Sequence, residues 1–85
     1  MGDKAVHVEY SKRAVKTIGG MDRPTKQRIK KAVEGIPQGD IVELQGTKGI
    51  YRLRVGAWRV IFEYLSTDKV LVSKIAPRGG VYKGA

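Results

Sequence analysis

The residues of this sequence best suited to chemistry are three closely spaced arginines. Arg52, Arg54 and Arg59 fall within eight consecutive residues and are interspersed with apolar side chains. A guanidinium group is planar and permanently charged, and its paired N–H donors match two oxygens of one phosphate. The segment therefore predicts a site that binds phosphodiesters.

Other kinds of reactive site have weaker support. The chain has no cysteine, which excludes disulfides, thiolate metal ligands and a cysteine nucleophile. His7 is the single histidine and Glu43 stands alone in a loop-like segment, so both are more typical of structural residues. No carboxylate or histidine cluster has the spacing of a metal site, and Gly79-Gly80 lacks the strand–helix context of a nucleotide-binding loop. We expect neither a metal nor another cofactor.

The overall charge favours a polyanionic partner. Seventeen Lys and Arg against eight Asp and Glu give a net charge of +9, and such an excess attracts nucleic acid in a salt-dependent way. A basic protein without that function is also compatible with the composition, so the position of the charges has to decide. The absence of cysteines and of a signal-peptide segment favours the cytoplasm. No apolar run is long enough to span a membrane.

The hydrophobic pattern predicts a single α+β domain spanning residues 1–85. A loop-like segment, Gln38–Gly49, separates a helical first half from a strand-rich second half, and Pro77–Ala85 is expected to be a tail without regular structure. The predicted elements are a strand at Ala5–Tyr10, a helix capped by Ser11 and ended by Gly19-Gly20, a second helix with Pro24 in its first turn and its end at Gly35 to Pro37, and strands at Ile50–Val55, Trp58–Tyr64 and Lys69–Ile75.

A tight hairpin joins the first two strands of the second half. Gly56-Ala57 suits a two-residue loop in which glycine supplies a positive φ. In that register Arg54 lies opposite Arg59, and the three arginines share one face with Ile61 and Glu63. The opposite face carries six apolar side chains that the helices can cover: Tyr51, Leu53, Val55, Trp58, Val60 and Phe62.

The opposition of Arg54 and Arg59 needs an explanation. At Cβ separations of about 4.5–5.5 Å two cations repel each other, so stability alone does not explain why arginines occupy both positions. An anion that binds both does give a reason. The alternative is an ordinary solvent-exposed strand face on which Glu63 partly pairs with an arginine.

Two segments of the sequence resemble a known family. YRLRVGAWRVIFE at 51–63 and IAPRGGVYK at 75–83 together are similar to the RelE branch of the RelE/ParE toxin superfamily, and a weaker similarity extends through the whole chain. The two motifs are specific in combination, and neither suffices alone. The resemblance implies the order β-α-α-β-β-β, with two helices on one face of a mostly antiparallel sheet.

The resemblance also implies an activity. RelE toxins of type II toxin–antitoxin systems are metal-independent endoribonucleases that enter the ribosomal A site and cleave mRNA, with the 2′-hydroxyl attacking the adjacent phosphorus. Arg59 would stabilise charge on the phosphorane, Arg78 would do the same or assist the leaving oxygen, and Tyr82 would stack on a base. Arg52 and Arg54 would bind phosphate.

One departure from the family concerns the general base. The best-known member has lysines at the positions of Arg52 and Arg54, and a lysine can lose its proton, whereas arginine stays protonated. The base is therefore left open among Glu63, Tyr82, water and the ribosome.

Two other functions remain compatible with the sequence. A ParE-like chain would share the fold and poison DNA gyrase, and a non-catalytic binder would hold RNA or the ribosome without cleavage. All three interpretations share one predicted partner: the resemblance implies an antitoxin whose acidic or amphipathic segment wraps the basic domain.

Overall fold

The computed structural model describes residues 6–46 and 48–77. Within these residues the chain forms five strands and two helices in an α+β arrangement. The elements are β1 (His7–Tyr10), α1 (Lys12–Gly19), α2 (Arg23–Glu34), β2 (Asp40–Glu43), β3 (Ile50–Val55), β4 (Trp58–Ser66) and β5 (Lys69–Pro77).

Both helices begin at polar caps. Ser11 is extended and its Oγ accepts a hydrogen bond from the backbone N–H of Ala14 at 3.1 Å, as the sequence predicted. The carboxylate of Asp22 caps α2 by accepting from the N–H and the hydroxyl of Thr25. Pro24 lies in the first turn, where its missing N–H leaves no helical hydrogen bond unmade.

The strands form one sheet in the order β1-β5-β4-β3-β2. β1 runs parallel to β5, and the other neighbours are antiparallel. The helices pack on one face, where Ala14, Ile29 and Val33 join strand residues such as Leu53 and Phe62 in the core. The predicted fold class is confirmed.

The prediction of a loop over Gln38–Gly49 is partly wrong. Asp40–Glu43 forms the edge strand β2, which pairs with β3 so that Ile41 lies opposite Leu53. Residues 6–77, apart from the undescribed residue 47, therefore contain one strand more than the order β-α-α-β-β-β. A strand of four residues carries little local signal, and here it forms because a long-range partner satisfies its backbone.

The last strand also differs from its predicted bounds. β5 continues to Pro77, two residues beyond the predicted end at Ile75, and Ala5 lies outside the described residues. Neither described helix has the length and apolar content that crossing a membrane requires.

Candidate nucleic-acid interface

The hairpin has the predicted register. Gly56 opens the loop with φ of +61°, Val55 pairs with Trp58, and Arg54 pairs with Arg59. Arg52 lies opposite Ile61 on the same face. The prediction that the three arginines share one face is confirmed.

We call this side of the sheet, which points away from the helices, the outer face. It is formed in its central part by seven residues of three neighbouring strands. Since β5 continues the antiparallel pairing, Ala76 lies beside Arg59 and Lys74 lies beside Ile61. The seven are Arg52, Arg54, Arg59, Ile61, Glu63, Lys74 and Ala76.

The arginines differ in their exposure and in their partners. The Arg54 side chain is 46% exposed and that of Arg52 is 14% exposed. Both approach Asp40 of β2, whose Oδ2 lies 3.2 Å from Nε of Arg54 and whose Oδ1 lies 3.5 Å from an Nη of Arg52. Asp40 thus offsets part of the repulsion on this face.

Asp40 is a site residue that the sequence pattern did not reveal, because its segment was interpreted as loop. The one available signal was its position at the start of a short apolar run. Glu63, the carboxylate named in the alternative interpretation, forms no ion pair with any described residue. The exposed Arg54–Asp40 pair is worth at most about 1 kcal/mol.

Arg59 is the most buried charged residue of the described chain. It is 8% exposed, and its Nε has no hydrogen-bond partner among the described residues. No described carboxylate lies within ion-pairing distance of it. A buried charge without a counter-charge is unfavourable, so this position is suited to a bound anion.

The chain is similar to named proteins over about nine tenths of its length. No family model matches it. RelE1 of Methanocaldococcus jannaschii is 29% identical, over 91% of this chain and 94% of that protein. The toxin in the RelE–RelB complex of Pyrococcus horikoshii is 25% identical with a TM-score of 0.70, covering 91% of this chain and 99% of that one.

The chain is similar in sequence and in fold to RelE toxins of the RelE/ParE superfamily. The free E. coli toxin RelE, solved as a double arginine-to-alanine mutant, has a TM-score of 0.69 at 17% identity, over 94% of this chain and 90% of that one. At that identity the likeness concerns the fold alone. It agrees with the two-layer arrangement of helices on a mostly antiparallel sheet.

Two residues singled out by the family motif, Arg78 and Tyr82, lie outside the described residues, and their roles stay predictions. Glu43 has a structural contact, since its Oε2 accepts a hydrogen bond from the N–H of Gly49 at 3.0 Å. His7 lies on the edge strand β1, with β5 and β4 between it and the arginines of β3. Among the described residues no group of three or more His, Asp or Glu could hold a metal ion.

Among the described residues, the groups with shifted pKa values are Tyr10, Asp22 and Tyr64, and none of them lies on the outer face. Burial raises the pKa of Tyr10, and the nearby charge of Glu34 adds to the effect. Burial likewise raises the pKa of Tyr64, which packs edge-on against Tyr51 and Phe62. Because both tyrosines stay protonated at neutral pH, they add no charge to the protein.

Proposed function

We propose that this chain is a ribosome-dependent endoribonuclease that cuts mRNA. As a RelE-type chain it is the toxin of a type II toxin–antitoxin system. The observation that carries the proposed activity is Arg59, a nine-tenths buried cation without a described counter-charge, directly opposite Arg54. Such an arrangement is suited to a phosphodiester that replaces the missing anion.

The reaction requires little from the protein beyond positioning and charge. The 2′-hydroxyl of the RNA attacks the adjacent phosphorus, the bond to the 5′-oxygen breaks, and a 2′,3′-cyclic phosphate and a 5′-hydroxyl result. Arg59 donates hydrogen bonds to the phosphorane oxygens, and Arg78 does the same or assists the leaving oxygen. Arg52 and Arg54 hold phosphate oxygens, and Tyr82 stacks on a base.

The proton of the 2′-hydroxyl needs an acceptor other than arginine. Neither Arg52 nor Arg54 can serve, because arginine stays protonated in proteins. Glu63 lies on the outer face without a described ion-pair partner, while Tyr82, water and the ribosome are further acceptors. No metal takes part in this scheme.

The proposed partners are mRNA, the ribosomal A site and an antitoxin. Solved relatives are toxin–antitoxin complexes, and a net charge of +9 favours an acidic partner segment. Since the activity needs translating ribosomes, the proposed compartment is the cytoplasm.

The experiment compares Arg59→Ala with Arg13→Ala on translating ribosomes programmed with a defined mRNA. Both variants lose one positive charge, but Arg13 lies on the exposed side of α1. Loss of one such donor should slow cleavage roughly 10²–10³-fold, while Arg13→Ala should cut like the unmodified chain. Full cleavage by Arg59→Ala would refute the site, and intact mRNA together with trapped DNA gyrase would favour the ParE-like function.

A further inference from the structure

A β-bulge in β5 changes which face its side chains point to. Val70 and Val72 are fully buried under the helices, and strict alternation would place Lys74 beside them in the core. However, Phe62 pairs with Val72 while Ile61 pairs with Lys74, so Ser73 is an extra residue on β5. As a result Lys74 points to the outer face.

The bulge is anchored by the start of the first helix. The Ser73 hydroxyl donates to the carbonyl oxygen of Ile61 at 3.3 Å, and the Ser73 carbonyl accepts from Oγ of Ser11 at 2.8 Å. The same Ser11 oxygen accepts the capping bond from Ala14. The position of the extra residue is therefore coupled to the N-cap of α1, which holds Lys74 in place.

Lys74 lies next to the buried arginine. It pairs with Ile61, two residues from Arg59 on the neighbouring strand, and such diagonal neighbours are typically about 7–8 Å apart at their backbones. Both side chains are long enough to contact one anion or two consecutive phosphates. Lys74 is itself half-buried.

The other described cations of this sheet face have acidic partners. Lys69 lies 3.4 Å from Glu9, and Asp40 approaches both arginines of β3. Within the described residues no carboxylate comes within ion-pairing distance of Lys74 or Arg59. Lys74 and Arg59 are thus neighbouring cations of the outer face that have no carboxylate partner among the described residues.

We propose that Lys74 binds the RNA phosphate adjacent to the one held by Arg59. This inference rests on the proposed function and assigns a further substrate-binding residue to β5. An ammonium is a compact point charge without the paired donors of guanidinium, so it suits a phosphate that is held rather than one that reacts. The bulge is what makes this residue available to the substrate.

The test uses two readouts on the full chain, with Lys74→Gln, Lys74→Arg and the control Lys69→Gln. Lys69 lies on the same strand and its substitution changes the net charge equally, but it is paired with Glu9. The first readout is the Kd of a fluorescein-labelled single-stranded RNA across a salt series. The second is single-turnover mRNA cleavage on programmed ribosomes.

Lys74→Gln should reduce the slope of log Kd against log salt by about 0.7, the value for one phosphate contact on a single strand. Its kcat/KM should fall about 10–100-fold, as for loss of a charged hydrogen bond. Lys74→Arg should restore most of both, Lys69→Gln should change neither, and the Tm of Lys74→Gln should match that of the unmodified chain.

Three results would overturn the inference: an unchanged salt slope in Lys74→Gln, equal effects of Lys74→Gln and Lys69→Gln, or a Tm loss that accounts for the lower activity. Failure of the proposed function is separate. In that case the unmodified chain leaves mRNA intact on ribosomes, while the salt slopes still decide whether Lys74 contacts phosphate.

Discussion

Replacing Arg59 by methionine tests whether this buried cation serves the ligand rather than the fold. Methionine retains the apolar stem and removes the guanidinium. Arg59 is 8% exposed with an unsatisfied Nε, and an unsatisfied buried polar group costs about 1–3 kcal/mol. Its removal also relieves the like-charge contact with Arg54, a further few tenths of a kcal/mol up to about 1 kcal/mol.

We therefore expect Arg59→Met to raise the free energy of unfolding by about 1–4 kcal/mol. For a domain of this size each kcal/mol corresponds to about 4–8 °C in Tm. Urea denaturation and thermal melting monitored by circular dichroism measure both quantities. The same variant should lose mRNA cleavage.

The matched control is Arg54→Met on the neighbouring strand. Because Arg54 is half-exposed and lies 3.2 Å from Asp40, its replacement removes an ion pair worth at most about 1 kcal/mol. It also relieves the same repulsion with Arg59, so the free energy of unfolding should change by less than about 1 kcal/mol. A lower Tm for Arg59→Met than for the unmodified chain would show that Arg59 stabilises the fold. That result would refute the inference that Arg59 is a buried cation whose role is to bind an anion.

Three further predictions concern the elements that support the outer face. Gly56→Ala should destabilise the hairpin by about 1–2 kcal/mol because φ is +61° there. The control is Gly19→Ala in α1: an added Cβ meets no atom within 4 Å at either position, but Gly19 has no positive φ, so this variant should be neutral or stabilising. Equilibrium unfolding in urea measures both changes. Ser11→Ala should lower the free energy of unfolding by about 0.5–2 kcal/mol through the lost N-cap, and by more if the contact with Ser73 also stabilises the fold. Unchanged stability would argue against the anchoring of the bulge. Hydrogen bonding from Thr25 lowers the pKa of Asp22. The ionised Asp22 therefore contributes to stability above about pH 4, and that contribution is lost as the pH falls through the lowered pKa. Asp22→Asn should make Tm less dependent on pH in this acidic range, and a pH profile of Tm identical to that of the unmodified chain would contradict the assignment.

The hairpin and its arginine face could be predicted because they depend on neighbouring residues. Gly56-Ala57 allows a tight turn, and the period of two along each strand then places Arg54 opposite Arg59. The start of α1 was similarly predictable, since the capping contact joins residues three positions apart. Local geometry suffices for such features.

The counter-charge of Asp40 and the orientation of Lys74 could not be predicted in this way. Asp40 reaches the arginines because β2 pairs with β3, which places Asp40 opposite Arg54, a residue fourteen positions later in the sequence. Lys74 follows two buried valines at regular spacing, and a local pattern would assign it to the core. A bulge that depends on Ser11, 62 residues earlier in the sequence, turns it to the outer face.

The sequence by itself carried the resemblance to RelE toxins in two motifs. It also predicted the hairpin register and the face that the three arginines share, because alternation and turn geometry act over a few residues. Tertiary structure decided which of those charges have a carboxylate partner among the described residues and which do not. Burial and ion pairing depend on segments far apart in the chain, so Arg59 became a buried cation without a described partner only when β5 and the rest of the sheet packed around it.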